Sequence, residues 1–340
     1  MLMTAVDSAA PAPGGPLPRL GAAWVTWRRH RTAFYALLGM LAGFAVLMVA
    51  GGLRARSTYH RLGLNQCTSF TGDRCEHLRM EFFDWYPQQV PFLFLLLLPA
   101  ALGAIAGGPL IARELETGTY RFAWTQGAGR TRLLLTQLLL VAAVLAAVAE
   151  AYGALYTWYN APLDHVMRFG FGDYLGFELK GVVFPVQTLL AFTAGVFAGL
   201  LTRRSIATVA GVFLGMSGLV LALVFELRKY YMTPLVTAGG TNPRDWVVGR
   251  AYVDPNGHLL NTGDSHVLFT KYLAQIPSSS DGTPSVSYRD WLQARHYTIV
   301  TSYHPAGRFW TFQFIETGWM TLLILLLGIA TVWLVRRRIG

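Results

Sequence analysis

Six stretches of this chain are almost free of charge over lengths that a soluble domain seldom leaves bare. Segments 33–53, 90–112, 181–202, 205–225 and 318–335 contain no Asp, Glu, Lys or Arg, and segment 133–159 contains only Glu150. At roughly 18 to 27 residues, each is long enough to cross about 30 Å of hydrocarbon as a helix. Lipid offers no hydrogen bonds to a bare backbone, so such runs must satisfy their peptide groups internally, as helices or as a closed barrel. The runs lack the alternation of a barrel strand, which selects helix. Charged residues make up only 14% of the 340, against about a quarter in a soluble domain. The expected fold class is therefore an all-α integral membrane protein with six transmembrane helices. The first run follows Arg28, Arg29, His30 and Arg31 like a signal peptide, but it is too long and no small-x-small site follows, so it reads as an uncleaved anchor.

Charge sets the orientation. If the termini, the loop 113–132 and the Arg203-Arg204 turn share one side, that side holds 13 Lys+Arg against 3 acids. The short opposite loops, 54–89 and 160–180, hold 7 of each. Nearly the whole net charge of +10 then lies where the positive-inside rule puts it, in the cytoplasm. Arg54, Arg56 and Arg61 oppose this locally without reversing it. A basic balance in a soluble chain would suggest nucleic acid. Here the arginines cluster at span ends, so the partner they indicate is the lipid membrane and no nucleic acid is expected.

The chain divides into a Pro/Ala/Gly-rich cytoplasmic tail (1–20) expected to be disordered, helices one to five with their cytoplasmic loop (21–226), an extracellular segment (227–317), and the sixth helix with a basic tail (318–340). Trp24 and Trp27 share a helix face at the membrane surface, either as a separate interfacial helix or as the flank of the first span. Gly-x-x-x-Gly spacings at Gly103/Gly107, Gly195/Gly199 and Gly211/Gly215 suit close helix packing. Turn-forming clusters in 227–317, a strand over 246–253, and Ser287 with Asp290 as a capping box predict a small mixed α/β domain. Cys67 and Cys75, both in the first outer loop, are spaced for a disulfide in an oxidising compartment; two free thiols are the alternative.

Catalytic chemistry is missing. Of the three lysines, Lys180, Lys229 and Lys271, none follows a glycine, so no Walker A loop exists and this chain supplies no such ATP site. No His-Glu-x-x-His or other metal-ligand cluster occurs, and no metal or cofactor is expected. Glu150, alone within a span, is a candidate for a substrate path or for a hydrogen-bonded packing role. The inner loop is the informative segment. It carries Arg113, Glu114, Glu116, Tyr120, Arg121, Phe122 and Trp124. Three large aromatics among acids and arginines lie either in the headgroup layer or in a pocket on a cytosolic partner.

The sequence Gly107-Gly108-Pro109-Leu110-Ile111-Ala112-Arg113-Glu114-Leu115-Glu116-Thr117-Gly118-Thr119, followed by Ala123-Trp124-Thr125-Gln126, resembles permease subunits of ABC-2-type ABC transporters, particularly actinobacterial ones. Tyr303-His304-Pro305-Ala306-Gly307-Arg308 and Arg336-Arg337-Arg338 fit the same pattern. The resemblance implies a multi-pass plasma-membrane exporter subunit that dimerises with a second copy or homologue. It also implies a separate cytosolic ATPase that binds the ATP, with 113–132 as the coupling element and the Trp24 region as an elbow helix. Segment 227–317 is longer than the short outer region of many such permeases. The cargo is not legible. Two rival readings are a membrane-anchored structural or sensor protein with a ligand-binding outer domain, and a passive channel.

Overall fold

The computed structural model describes residues 19–67, 73–85, 92–116, 130–168, 170–276 and 286–339. Its helices are α1 (Arg19–Arg61), α2 (Asp73–Trp85), α3 (Phe92–Glu116), α4 (Arg130–Met167), α5 (Tyr174–Leu179), α6 (Val183–Thr202), α7 (Ser205–Ala222), α8 (Thr262–Gln275), α9 (Tyr288–Gln293) and α10 (Phe309–Ile339). Among the described residues, five helical stretches are long and apolar enough to cross a membrane: Phe94–Arg113, Leu135–Met167, Val183–Thr202, Ser205–Tyr230 and Ala306–Arg337. The first uncharged run, 33–53, lies inside α1, a helix of 43 residues that passes unbroken through Trp24 and Trp27.

Burial ranks these helices. α3 and α6 have 61% and 67% of their apolar windows buried, whereas α4 and α10 have 22% and 17%. α3 and α6 therefore form the centre, and glycine is what lets them meet. A Cβ on Gly107 would stand 2.2 Å from the Phe192 carbonyl oxygen, and one on Gly103 would stand 2.4 Å from the Ala191 Cβ. From the other side, a Cβ on Gly195 or Gly199 would stand 2.8 or 2.9 Å from the Gly108 backbone. In lipid no hydrophobic effect drives helices together, so this close van der Waals fit supplies the attraction. Gly211 and Gly215 carry the same spacing, yet nothing lies within 4 Å of where their Cβ atoms would be. α3 continues through both Pro99 and Pro109.

α1 packs on α4. The Tyr152 hydroxyl donates to the Leu41 carbonyl, and the Arg56 guanidinium lies 4.0 Å over the Trp158 ring while donating to the Trp158 carbonyl at 2.6 Å. Arg56, one of the arginines that oppose the charge rule, is thus held by an indole and a carbonyl. Cys67 and Cys75 are joined by a disulfide that ties the end of α1 to α2.

Beyond α7 the chain makes a π-helical turn (Leu223–Leu227) and a 3₁₀ turn (Arg228–Tyr230) before entering a small sheet-containing domain. This domain has a three-stranded antiparallel sheet, β1 (Leu235–Thr237), β2 (Trp246–Val253) and β3 (Thr298–His304), in the order β1-β3-β2. α8 and α9 cover it through Leu268, Tyr272, Trp291 and Leu292. Asp290 N–H donates to the Ser287 hydroxyl, which caps α9, but that helix ends at Gln293. β3 leads through Pro305 and a 3₁₀ turn directly into α10. Phe309, Trp310, Phe312 and Phe314, just before the sixth uncharged run, lie in the first two turns of α10.

Candidate functional site

Two polar junctions frame the glycine-packed helices, one at each end. At the first, α3 ends on Glu116, whose Oε2 accepts from the Ser205 N–H at 3.2 Å and from the Ser205 hydroxyl at 2.8 Å. The last residue of α3 thereby caps the first turn of α7, where orphan N–H groups favour an anionic acceptor. These Ser205 bonds, helped by Arg204 and Arg113, hold the Glu116 carboxyl below the usual carboxylate range. α6 and α7 meet in a turn of two arginines, with Arg203 in the left-handed region at φ 54° and Thr202 bonded to Thr208 at 2.6 Å. α3, α6 and α7 are thus linked at the C-terminal end of α3.

The residues singled out from sequence fall as follows. Arg113 and Glu116 are exposed at the end of α3. Glu114 belongs to the same turn, but its side chain lies outside the described residues, as do Tyr120, Arg121 and Trp124 entirely. Trp24 and Trp27 lie on α1, where only the backbone is described. Glu150 is exposed on α4 and does not join either junction.

The second junction was not legible in the sequence. Arg228, Glu178, Glu316 and Gln187 are all at least 97% buried, drawn from the 3₁₀ turn, α5, α10 and α6. Arg228 faces Glu316 side-on, with Nε 2.9 Å from Oε2 and Nη2 3.0 Å from Oε1, a two-bond fork. The same Nη2 also bonds Glu178 Oε1. Gln187 Nε2 donates to Glu178 Oε2 at 2.7 Å and reaches Glu316 Oε1 at 3.4 Å. The guanidinium lies 3.9 Å above the Phe177 ring. The π-helical turn before Arg228 shifts the helical register there, and such turns recur at functional sites.

Gln313 pins the same region. Its Oε1 accepts from Val182 and Val183 N–H at 3.1 Å each, and its Nε2 donates to the Phe177 and Lys180 carbonyls at 2.8 and 3.0 Å. Gly181, at φ 95°, would place a Cβ 2.9 Å from this amide. Above it, buried His304 contacts the Lys229 carbonyl through Nε2 and accepts from Arg308 through Nδ1. Burial holds the His304 imidazole below the usual histidine range, so it stays neutral. Each of Glu178, Arg228 and Glu316 sits within a few residues of an uncharged run, where a charge reads as an ordinary interfacial flank. Their one linear signal is that Gln187 interrupts an otherwise apolar helix.

A model of the family described as ABC-2 membrane transporter related matches residues 38–228, more than half of the chain. The chain belongs to that family. The match takes in α3, α6 and α7 and extends to Arg228 itself. An ABC-2 membrane transporter related chain is a multi-pass membrane component of a transporter, and the helices described above are of that kind. No curated protein and no solved structure matches the chain. No group of His, Cys, Asp or Glu suited to a metal ion occurs among the described residues.

Proposed function

We propose that this chain is the permease subunit of an ATP-driven exporter and that a separate cytosolic ATPase supplies the energy. The observation that carries the proposal is the junction of Glu116 with Ser205 in a chain of this family. It ties the start of the inner loop to two further helices, so a push on the loop is delivered to α3, α6 and α7 together. In this reading the first uncharged run is a sixth span, both termini are cytoplasmic, and 227–317 lies outside the plasma membrane. Arg113, Glu114, Glu116, Tyr120, Arg121 and Trp124 form the ATPase contact, and Trp24 and Trp27 mark an elbow at the inner surface. Two permease copies, or this chain and a homologue, enclose the path, with exposed Glu150 on a face that a second copy would cover. ATP binding biases the pair between inward-open and outward-open states, because each state presents different loop contacts to the ATPase.

The test is affinity purification of the full chain from native membranes, in the wild type and in a variant with Glu114→Ala, Glu116→Ala and Trp124→Ala. The proposal expects a nucleotide-hydrolysing subunit with the wild type and its loss with the variant at equal expression. Recovery in full yield with the variant contradicts the assignment of the loop.

A further inference from the structure

The buried cluster holds one cation and two carboxylates, and its geometry treats those carboxylates unequally. Glu316 occupies the guanidinium fork of Arg228, engaging both Nε and Nη2. Glu178 shares only Nη2 with it, and its other oxygen faces an amide. The Arg228–Glu316 pair is already neutral, so Glu178 is the surplus acid, 1% exposed.

Among the described residues, no ion pair or hydrogen bond brings a second cation to Glu178. α3 has no charged residue between Phe92 and Ala112, α6 has none, and α10 has only Glu316 before Arg336. α4 contributes Asp164, which takes Lys180 at 3.1 Å. Asp173 caps α5 by accepting from Gly176 N–H and adds negative charge. Lys229 turns outward to Glu226 at 2.6 Å, and Arg308 is spent on neutral His304 and the Thr233 carbonyl. Tyr231, on the Glu316 side, is a phenol that burial keeps protonated. An ionised Glu178 would therefore leave a net negative charge in a site of low dielectric, which is strongly disfavoured. The Gln187 amide adds an independent sign: its Oε1 is buried and has no hydrogen-bond partner. Turned over, it would offer that oxygen to a proton on Glu178 Oε2.

We propose that Glu178 is a proton-binding site, occupied in the folded chain, and that the proton keeps α5 latched to Arg228 and α10. Binding forms one O–H bond at Glu178 Oε2 with a proton from water and takes the cluster from a net charge of −1 to zero. The partly exposed Lys180–Asp164 pair marks the side from which water reaches α5. Burial pushes the Glu178 carboxyl up, Arg228 opposes this and Glu316 adds to it. A carboxyl raised by folding contributes stability that is complete at acid pH and is lost as pH rises through its folded value. This inference does not depend on the exporter reading.

The experiment uses the purified full chain in lipid nanodiscs, with infrared difference spectra for the protonated carboxyl stretch and thermal unfolding followed from about pH 5 to about pH 9, the range reached by buried glutamates. The wild type is expected to show a protonated carboxyl at neutral pH that is lost on alkalinisation, together with a melting temperature that falls as pH rises from about 5 and levels off once the band is gone. Glu178→Gln, the isostere of the protonated acid, should remove the band, flatten the melting curve against pH, and match the wild type at acid pH. Glu316→Gln should also abolish the band, because Arg228 and Glu178 alone are neutral. A band that persists in Glu178→Gln, a wild type with no protonated carboxyl at neutral pH, or failure of Glu178→Gln to fold would each overturn the proposal.

Discussion

At the scale of single residues, two side chains decide how the helices are joined. Arg228 is the only cation in its cluster, so Arg228→Met leaves the Glu316 carboxylate buried beside Glu178 without compensation. The expected loss is about 3–5 kcal/mol, as when one partner of a buried ion pair is removed. Guanidinium or heat unfolding of the detergent-purified variant at neutral pH measures it. Glu116 lies at the opposite end, where on the proposed reading its Ser205 bonds carry coupling between α3 and α7. Glu116→Ala removes the acceptor of both Ser205 bonds, and transport should fall on the order of tenfold, within the usual range of coupling energies. The partner's ATP hydrolysis should persist, and transport and hydrolysis assayed together separate the two. Ser205→Ala keeps the backbone N–H donor and should do less.

At the scale of elements, glycines with identical spacing make opposite predictions. Gly107→Ala drives a methyl into the Phe192 carbonyl and should destabilise the α3–α6 contact by about 1–3 kcal/mol, the usual effect of overpacking. Gly211→Ala meets open space, so the same change should leave melting within about 0.5 kcal/mol of the wild type, as at an ordinary surface site. Parallel thermal unfolding of both variants checks the pair. The contrast also marks what sequence can and cannot tell. Long uncharged runs betray helices because lipid allows only helices or closed barrels and these runs lack a barrel's alternation, and the run 205–225 maps onto α7 and its π-helical extension. The strand over Trp246–Val253 follows from β-branched and aromatic residues bounded by turns. Which glycine stripe faces a neighbour is a property of two helices at once, and no periodicity within either one contains it. The same holds for α5, six residues too short to carry a pattern, and for β3, which reads as the approach to a membrane helix. Glu178, Arg228 and Glu316 are separated by 50 and 88 positions, so their meeting is set by packing alone.

At the scale of the whole molecule, the three-stranded sheet acts as a clamp. β1 follows α7 and its turns, β3 runs into α10, and the two strands are paired from Leu235 with Tyr303 to Thr237 with Thr301. The sheet-proximal ends of those two helices therefore cannot part without breaking sheet hydrogen bonds, the His304 contact with Lys229 and the Arg228–Glu316 fork. On the proposed reading, motion driven at 113–132 passes between this clamped unit and its surroundings. The orientation makes a separate prediction. In a chain with Cys67 and Cys75 replaced by serine, a cysteine introduced by Asn256→Cys should react with an impermeant maleimide on intact cells. One introduced by Arg204→Cys should react only after the membrane is opened. The reverse pattern would invert the topology.

The claim on which the account rests is that an ATPase docks on loop 113–132. A photo-crosslinking amino acid placed at Trp124 and activated in native membranes tests it most directly, with the linked product identified by mass spectrometry. The account predicts a covalent product with a subunit that carries a Walker A sequence, lost when Glu114 and Glu116 are changed to alanine. A probe that links only to lipid, in membranes where transport is active, would contradict it.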